Sequence, residues 1–118
     1  MSDVRIMRNQ IDRKVETSLC LDGLQVRKTA MVLRALNHKL RQRILQLLAE
    51  NGGLTVSEIY GILHLEQSIA SQHLSILRRA GFVRTSRDGK FIRYEVDTER
   101  LDIVSREVEI MLGIQSQY

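Results

Sequence analysis

The sequence predicts a mostly α-helical domain with one small β-hairpin, arranged as a winged helix-turn-helix with a further helix at each end. Three observations carry that expectation. Apolar residues recur at helical spacing in successive stretches between Leu24 and Gly113. Thr55-Val56-Ser57-Glu58 matches a capping box ahead of a short helical run. Late in the chain Arg87-Asp88-Gly89-Lys90 separates two β-forming runs, and Asp-Gly in that setting signals a hairpin.

A chain of 118 residues, 43% of them hydrophobic, can bury one core without help from disulfides. We expect an arm over residues 1–23, flexible or partly helical, then the winged helix-turn-helix over 24–113 and a short tail over 114–118. No run approaches the roughly 18 apolar residues needed to cross a bilayer, and MSDVRIMRNQIDRK has acids but no apolar signal core. No membrane partner is expected, and a cytoplasmic location is. Net charge is +4, and its placement matters more than its size. Residues 24–50 carry +5, 51–96 carry +2, 97–118 carry −3, and 1–23 are neutral. That pattern suggests one surface facing a polyanion and another with a different role.

The elements follow in order. From Leu24 to Leu36 apolar side chains point nearly all round a helix, so a second face is expected to meet another subunit. Asn37 interrupts, and His38 to Glu50 places Leu40, Ile44, Leu47 and Leu48 at helical spacing until Asn51-Gly52-Gly53 stops it. Thr55 caps Val56 to Leu63, with Val56, Ile59, Ile62 and Leu63 expected inward. His64, Leu65 and Glu66 turn into Gln67 to Ala80, and Gly81 ends that helix. Two helices joined by so short a turn make a helix-turn-helix. The runs Phe82 to Ser86 and Phe91 to Val96 form the wing. Asp97 caps a last helix to about Gly113 with two apolar stripes, Leu101, Val104, Val108, Met111 and Leu112 against Ile103 and Ile110. Two stripes ask for two partners.

The stretch QSIASQHLSILRRA carries the functional expectation. At 100° per residue, Gln67, Ser68, Ser71, Gln72, Ser75, Arg78 and Arg79 share an arc of roughly 140°. Ile69, Ala70, Leu74, Ile76, Leu77 and Ala80 fill the rest, with His73 among them as a packed histidine bonded to a neighbouring loop. Amides, hydroxyls and guanidiniums without a carboxylate suit base edges and phosphates, so double-stranded DNA is the expected partner. Gln72 can pair bidentately with adenine. Arg84, Arg87, Lys90 and Arg93 of the hairpin are expected to grip backbone.

Other chemistry is poorly supported. His38, His64 and His73 have no i, i+4 relation, and a single Cys20 supplies too few ligands for zinc, so no metal site and no cofactor are expected. Cys20 is most simply an inert thiol, with a redox role through a Cys20 pair across a dimer as the alternative. Neither a Ser/His/Asp set nor a phosphate-cradling glycine loop occurs, and an enzyme is not expected. A winged-helix protein-interaction module without DNA binding remains a further alternative.

LRALNHKLRQRILQLL, SEIYGILHLEQSIASQHLSILRRAGFV and RDGKFIRYEV, in this order, resemble the ArsR/SmtB family of bacterial winged-helix repressors over roughly residues 25–112. Arg41 and Arg43, then Ser71, His73 and Leu74, and Arg-Asp-Gly-Lys at the wing tip carry the match. The resemblance implies a homodimer joined through its first and last helices, here with Met31, Leu101, Val104, Val108, Met111 and Leu112 at the interface. It also implies an inverted-repeat operator, released when an inducer arrives. Departures narrow the inducer. Where the family's metal sensors carry Cys-x-Cys this chain reads Thr55-Val56-Ser57-Glu58-Ile59, and its last helix has Asp102, Glu107 and Glu109 but no histidine, with Arg100 near that place. Carboxylates alone hold zinc-type metals poorly, so a metal at the usual family sites is not the expected inducer.

Overall fold

The computed structural model describes residues 21–114. Cys20, with its redox alternative, and most of the expected N-terminal arm lie outside the described residues. Helix α1 spans Gly23–Leu36, and the Asp22 carboxylate accepts from the Leu24 amide at its start. A compact body begins at Val32, within that helix.

Helix α2 covers Lys39–Asn51, starting one residue later than the apolar spacing suggests. The reason is local: His38 is the N-cap, extended in backbone, and its Nδ1 accepts from the Leu40 amide at 3.1 Å. Ile44, Leu45 and Leu48 face the core, and Gly52 caps the far end in the left-handed region.

Strand β1, Leu54–Thr55, is not foreseen by the residue pattern. Two residues are too short to show alternation, and Thr55 reads as a helix cap. It serves both elements. As a strand residue it stands opposite Arg93, while Leu54 stands opposite Tyr94. As the N-cap of α3, Val56–Leu63, its hydroxyl accepts from the Glu58 amide, and the Glu58 carboxylate accepts from the Thr55 amide at 2.9 Å. That amide holds the Glu58 carboxyl below its ordinary pKa. Ile59 is fully buried, but Ile62, expected inward, is 49% exposed.

His64 takes the left-handed conformation after α3, at φ 57°, and Leu65 bonds back to the Tyr60 carbonyl. The turn delivers α4, Gln67–Arg79, with Ala70, Leu74 and Leu77 sealed in the core. Strands β2, Val83–Asp88, and β3, Phe91–Val96, pair antiparallel from Val83 opposite Val96 to Asp88 opposite Phe91. Only Gly89 and Lys90 remain for the loop, so the tip turns on Gly-Lys, not Asp-Gly. Gly89, at φ +64°, takes the first loop position, where a two-residue type II′ turn places glycine. The sheet order is β1-β3-β2, three strands where a hairpin was expected.

Phe82 belongs to neither strand. It lies fully buried between α4 and the sheet, its amide donating to the Leu77 carbonyl and its carbonyl accepting from the Asp97 amide. Asp97 then caps α5, Thr98–Leu112, through its carboxylate and the Arg100 amide at 3.0 Å. The apolar stripe of α5 divides. Val104 is buried and the half-buried Leu101 and Val108 pack against the core, so the protomer's own body already covers part of the stripe expected at the dimer contact. Met111 and Leu112 stay exposed, as do Ile103, Ile110 and, on α1, Met31. Among the described residues no helix is long and apolar enough to cross a membrane.

Candidate nucleic-acid interface

The buried stripe of α4 sets its outward direction. With Gln67 as zero, Ala70, Leu74 and Leu77 centre near 305°, so the helix faces away from the core at roughly 125°. Ser68, Gln72, Ser75 and Arg79 straddle that direction. Gln67, Ser71 and Arg78 form one shoulder, and all of these side chains are exposed. The other shoulder holds Ile69, expected in the core but 37% exposed, beside half-buried Ile76. An arc centred on polar residues is pulled toward Gln67. Centring it instead on the tightest apolar triplet places Ile69 at the rim.

At its start α4 has Glu66 as N-cap with no side-chain capping bond, so the amides of the first turn point outward unclaimed by that residue. The helix ends in Arg78 and Arg79, which favour its negative end.

The hairpin cations are not equivalent. Arg93, one of the cations expected to grip backbone, is half-buried, and its Nη2 donates to the Gly53 carbonyl at 2.8 Å, fastening β3 to the loop after α2. Arg84 stands directly opposite Glu95. Arg87 and Lys90 are exposed at the tip, with the Lys90 ammonium 5.8 Å from the Phe91 ring centre. The hairpin cations that bond no carbonyl and face no acid across the sheet are thus Arg87 and Lys90, at its tip.

Behind α4 lies a group that the sequence shows only as separate residues. Arg41, buried in α2, donates from Nε to the Ala35 carbonyl at 2.7 Å and from Nη2 to the Arg34 carbonyl at 3.1 Å. Its Nη1 lies 3.2 Å from His73 Nδ1, and the His73 ring packs against the His38 ring, tilted by 57° with centroids 4.7 Å apart. A guanidinium only donates, so His73 Nδ1 accepts and the proton of a neutral ring sits on Nε2. The partners of His73 are thus α2 and its N-cap, not the loop expected from sequence. Burial, then the His38 and Arg41 charges, hold the His73 pKa below its ordinary value.

A depressed histidine pKa adds stability that is fully present above about pH 6.5 and is lost as pH falls through the lowered native value. His73→Gln keeps an acceptor for Arg41 without a titrating ring. Its urea midpoint is expected to fall less than wild type between about pH 7.5 and 5, and equal falls would show that His73 does not set the pH dependence.

Arg100 closes the other end of α4. Its Nη2 donates to the Ala80 carbonyl at 3.1 Å and its guanidinium lies 5.7 Å from the Phe82 ring centre. The first turn of α5 is thereby fixed to the last turn of α4.

Known proteins share this arrangement. The family model for bacterial regulatory protein, arsR family, matches residues 38–85, from the α2 cap into the wing. An HTH-type transcriptional regulator of Methanocaldococcus jannaschii is 34% identical over 82 residues, 70% of this chain and 92% of that protein. The transcriptional activator HlyU of Vibrio cholerae is 37% identical over 87 residues, 74% of this chain and 73% of that one. Among solved structures, an ArsR-like transcriptional regulator from Rhodococcus aligns with a TM-score of 0.66 at 25% identity, covering 75% of this chain and 83% of its own.

Proposed function

Because the chain belongs to the bacterial arsR family of regulatory proteins, we propose that it is a homodimeric repressor that holds an inverted-repeat operator with α4 and the tip of its wing. The family makes it a helix-turn-helix transcriptional regulator that binds DNA and is not an enzyme. The finer reading rests on one observation above others. The outward face of α4 offers amide, hydroxyl and guanidinium groups with no carboxylate, over a body that also presents Arg87 and Lys90. Donors of this kind suit the major groove, and the tip cations suit phosphates beside it.

Two copies are supported by the side chains the protomer leaves uncovered. Ile103, Ile110, Met111 and Leu112 on α5 are exposed, and so is Met31 on α1. A second copy would remove them from water, and twofold symmetry in the protein implies twofold symmetry in the operator. The inducer, on this reading, is not a metal at the family's usual sites, since the chain has neither the paired cysteines nor the histidine of those sites.

Selection of bound sequences from a random DNA pool tests the proposal. The expected outcome is an inverted repeat with half-sites about one helical turn, roughly 34 Å, apart. A single unrepeated motif would overturn the dimeric reading, and no enrichment would overturn sequence-specific binding. A reporter placed behind the selected site decides the sign of regulation, with lower expression expected when the protein is present.

A further inference from the structure

We propose that Ile69 and Gln72 together read one A·T base pair, the Gln72 carboxamide on adenine N6 and N7 and the Ile69 side chain against the thymine C5 methyl. The inference rests on α4 being the helix that enters the major groove, and it adds which base pair that helix selects and how.

Placement comes first. Ile69 is the third residue of α4, and residues near the start of a recognition helix are those that reach base edges. Ile69 and Gln72 are three apart, which puts them one turn apart on the same side of the helix with Cβ atoms about 5–6 Å from each other. Gln72 points close to straight out from the core, and Ile69 lies on the adjoining shoulder. Ala70, Leu74 and Leu77 complete the buried stripe without Ile69, which keeps 37% of its surface open.

The chemistry follows from what each base pair displays. Thymine alone carries a methyl group in the major groove, and in an A·T pair it lies beside the adenine N6 and N7 edge. A carboxamide one turn from an exposed branched alkyl group matches that pair. The neighbouring side chains point the same way. From Gln67 to His73 the helix has no arginine or lysine to take guanine O6 and N7 and no acid to take cytosine N4. Arginine first appears at Arg78, about three turns from the start. The end of the helix placed to touch bases is therefore equipped for A·T pairs.

The test uses the full chain and the operator returned by pool selection. Each thymine of a half-site is replaced in turn by deoxyuridine, which removes only the methyl, and each adenine by 7-deazaadenine, which removes the N7 acceptor. At one thymine, uracil is expected to weaken wild-type binding about fourfold, the worth of one buried methyl, while Ile69→Ala binds both DNAs equally. At the adenine paired with or next to that thymine, the deaza base is expected to weaken wild type but not Gln72→Ala. If wild type is indifferent to every uracil, or if Ile69→Ala keeps the uracil penalty, the inference is overturned while the operator reading stands. A pool that returns no consensus overturns both.

Discussion

Phe82→Ala is expected to remove about 3–5 kcal/mol of folding stability, a large share of the roughly 5–15 kcal/mol that holds a domain of this size. Phe82 is the largest side chain in the core that is entirely shielded from water, packed with Ile44, Leu48, Ile59, Leu74 and Leu77. Its backbone is held at both ends, by the Leu77 carbonyl and the Asp97 amide, so the surroundings have little freedom to collapse into the space left. The ring also carries the Arg100 guanidinium on its face. Losing it removes the support for the junction between α4 and α5. At about 4–8 °C per kcal/mol, thermal unfolding should move down by roughly 12–40 °C. Urea midpoints at fixed protein concentration check this, with Ile62→Ala as the comparison. Ile62 is equally apolar but half-exposed, and its truncation should cost well under half as much. A loss below about 1 kcal/mol for Phe82→Ala would contradict the packing described.

The second large effect concerns DNA. Arg87→Ala combined with Lys90→Ala is expected to weaken operator and random DNA alike, by about tenfold for each phosphate that is no longer neutralised at roughly 0.1 M salt. The slope of log affinity against log salt should flatten by about one unit per phosphate. Arg93→Ala separates this from a general effect of charge. Because Arg93 is fastened to the Gly53 carbonyl, its removal should lower stability and leave the salt slope nearly unchanged. Filter binding or fluorescence anisotropy over a salt series, with urea melts of the same variants, distinguishes the two. If Arg93→Ala flattened the slope as much as the tip variants, the division of the wing into structural and phosphate-facing cations would be wrong.

Where local chemistry determines conformation, the elements are legible from residues alone. Thr55 and Glu58 mark the start of α3, Asn51-Gly52 the end of α2, and Asp97 the start of α5, because each uses side chains within a few positions of its own backbone. What the residues do not show depends on distant partners. Strand β1 exists because Tyr94 and Arg93 arrive beside Leu54 and Thr55. Arg93 reads as one more wing cation until its carbonyl partner is seen. The apolar arc places His73 on the packed side of α4, where it is half-buried, but the buried guanidinium that holds it comes from α2, 32 residues earlier. Ile69 and Ile62 read as inward because both are isoleucine, and a helical wheel does not record how wide the neighbouring layer is. The same limit explains α5, where one continuous apolar stripe is split between residues the body covers and residues it does not.

The double duty of Thr55 also bears on how the molecule opens. Pairing β1 with β3 closes a loop of about forty residues that contains α3, α4 and β2. Peeling β1 from the sheet disturbs the residue that caps α3, and fraying the first turn of α3 loosens the inner edge of the sheet. Helix-turn-helix and wing therefore do not behave as two local unfolding units with separate opening free energies. They form one cooperative block, in which the two-residue tip at Gly89 and Lys90 is free to breathe while the strands behind it open only with the helices.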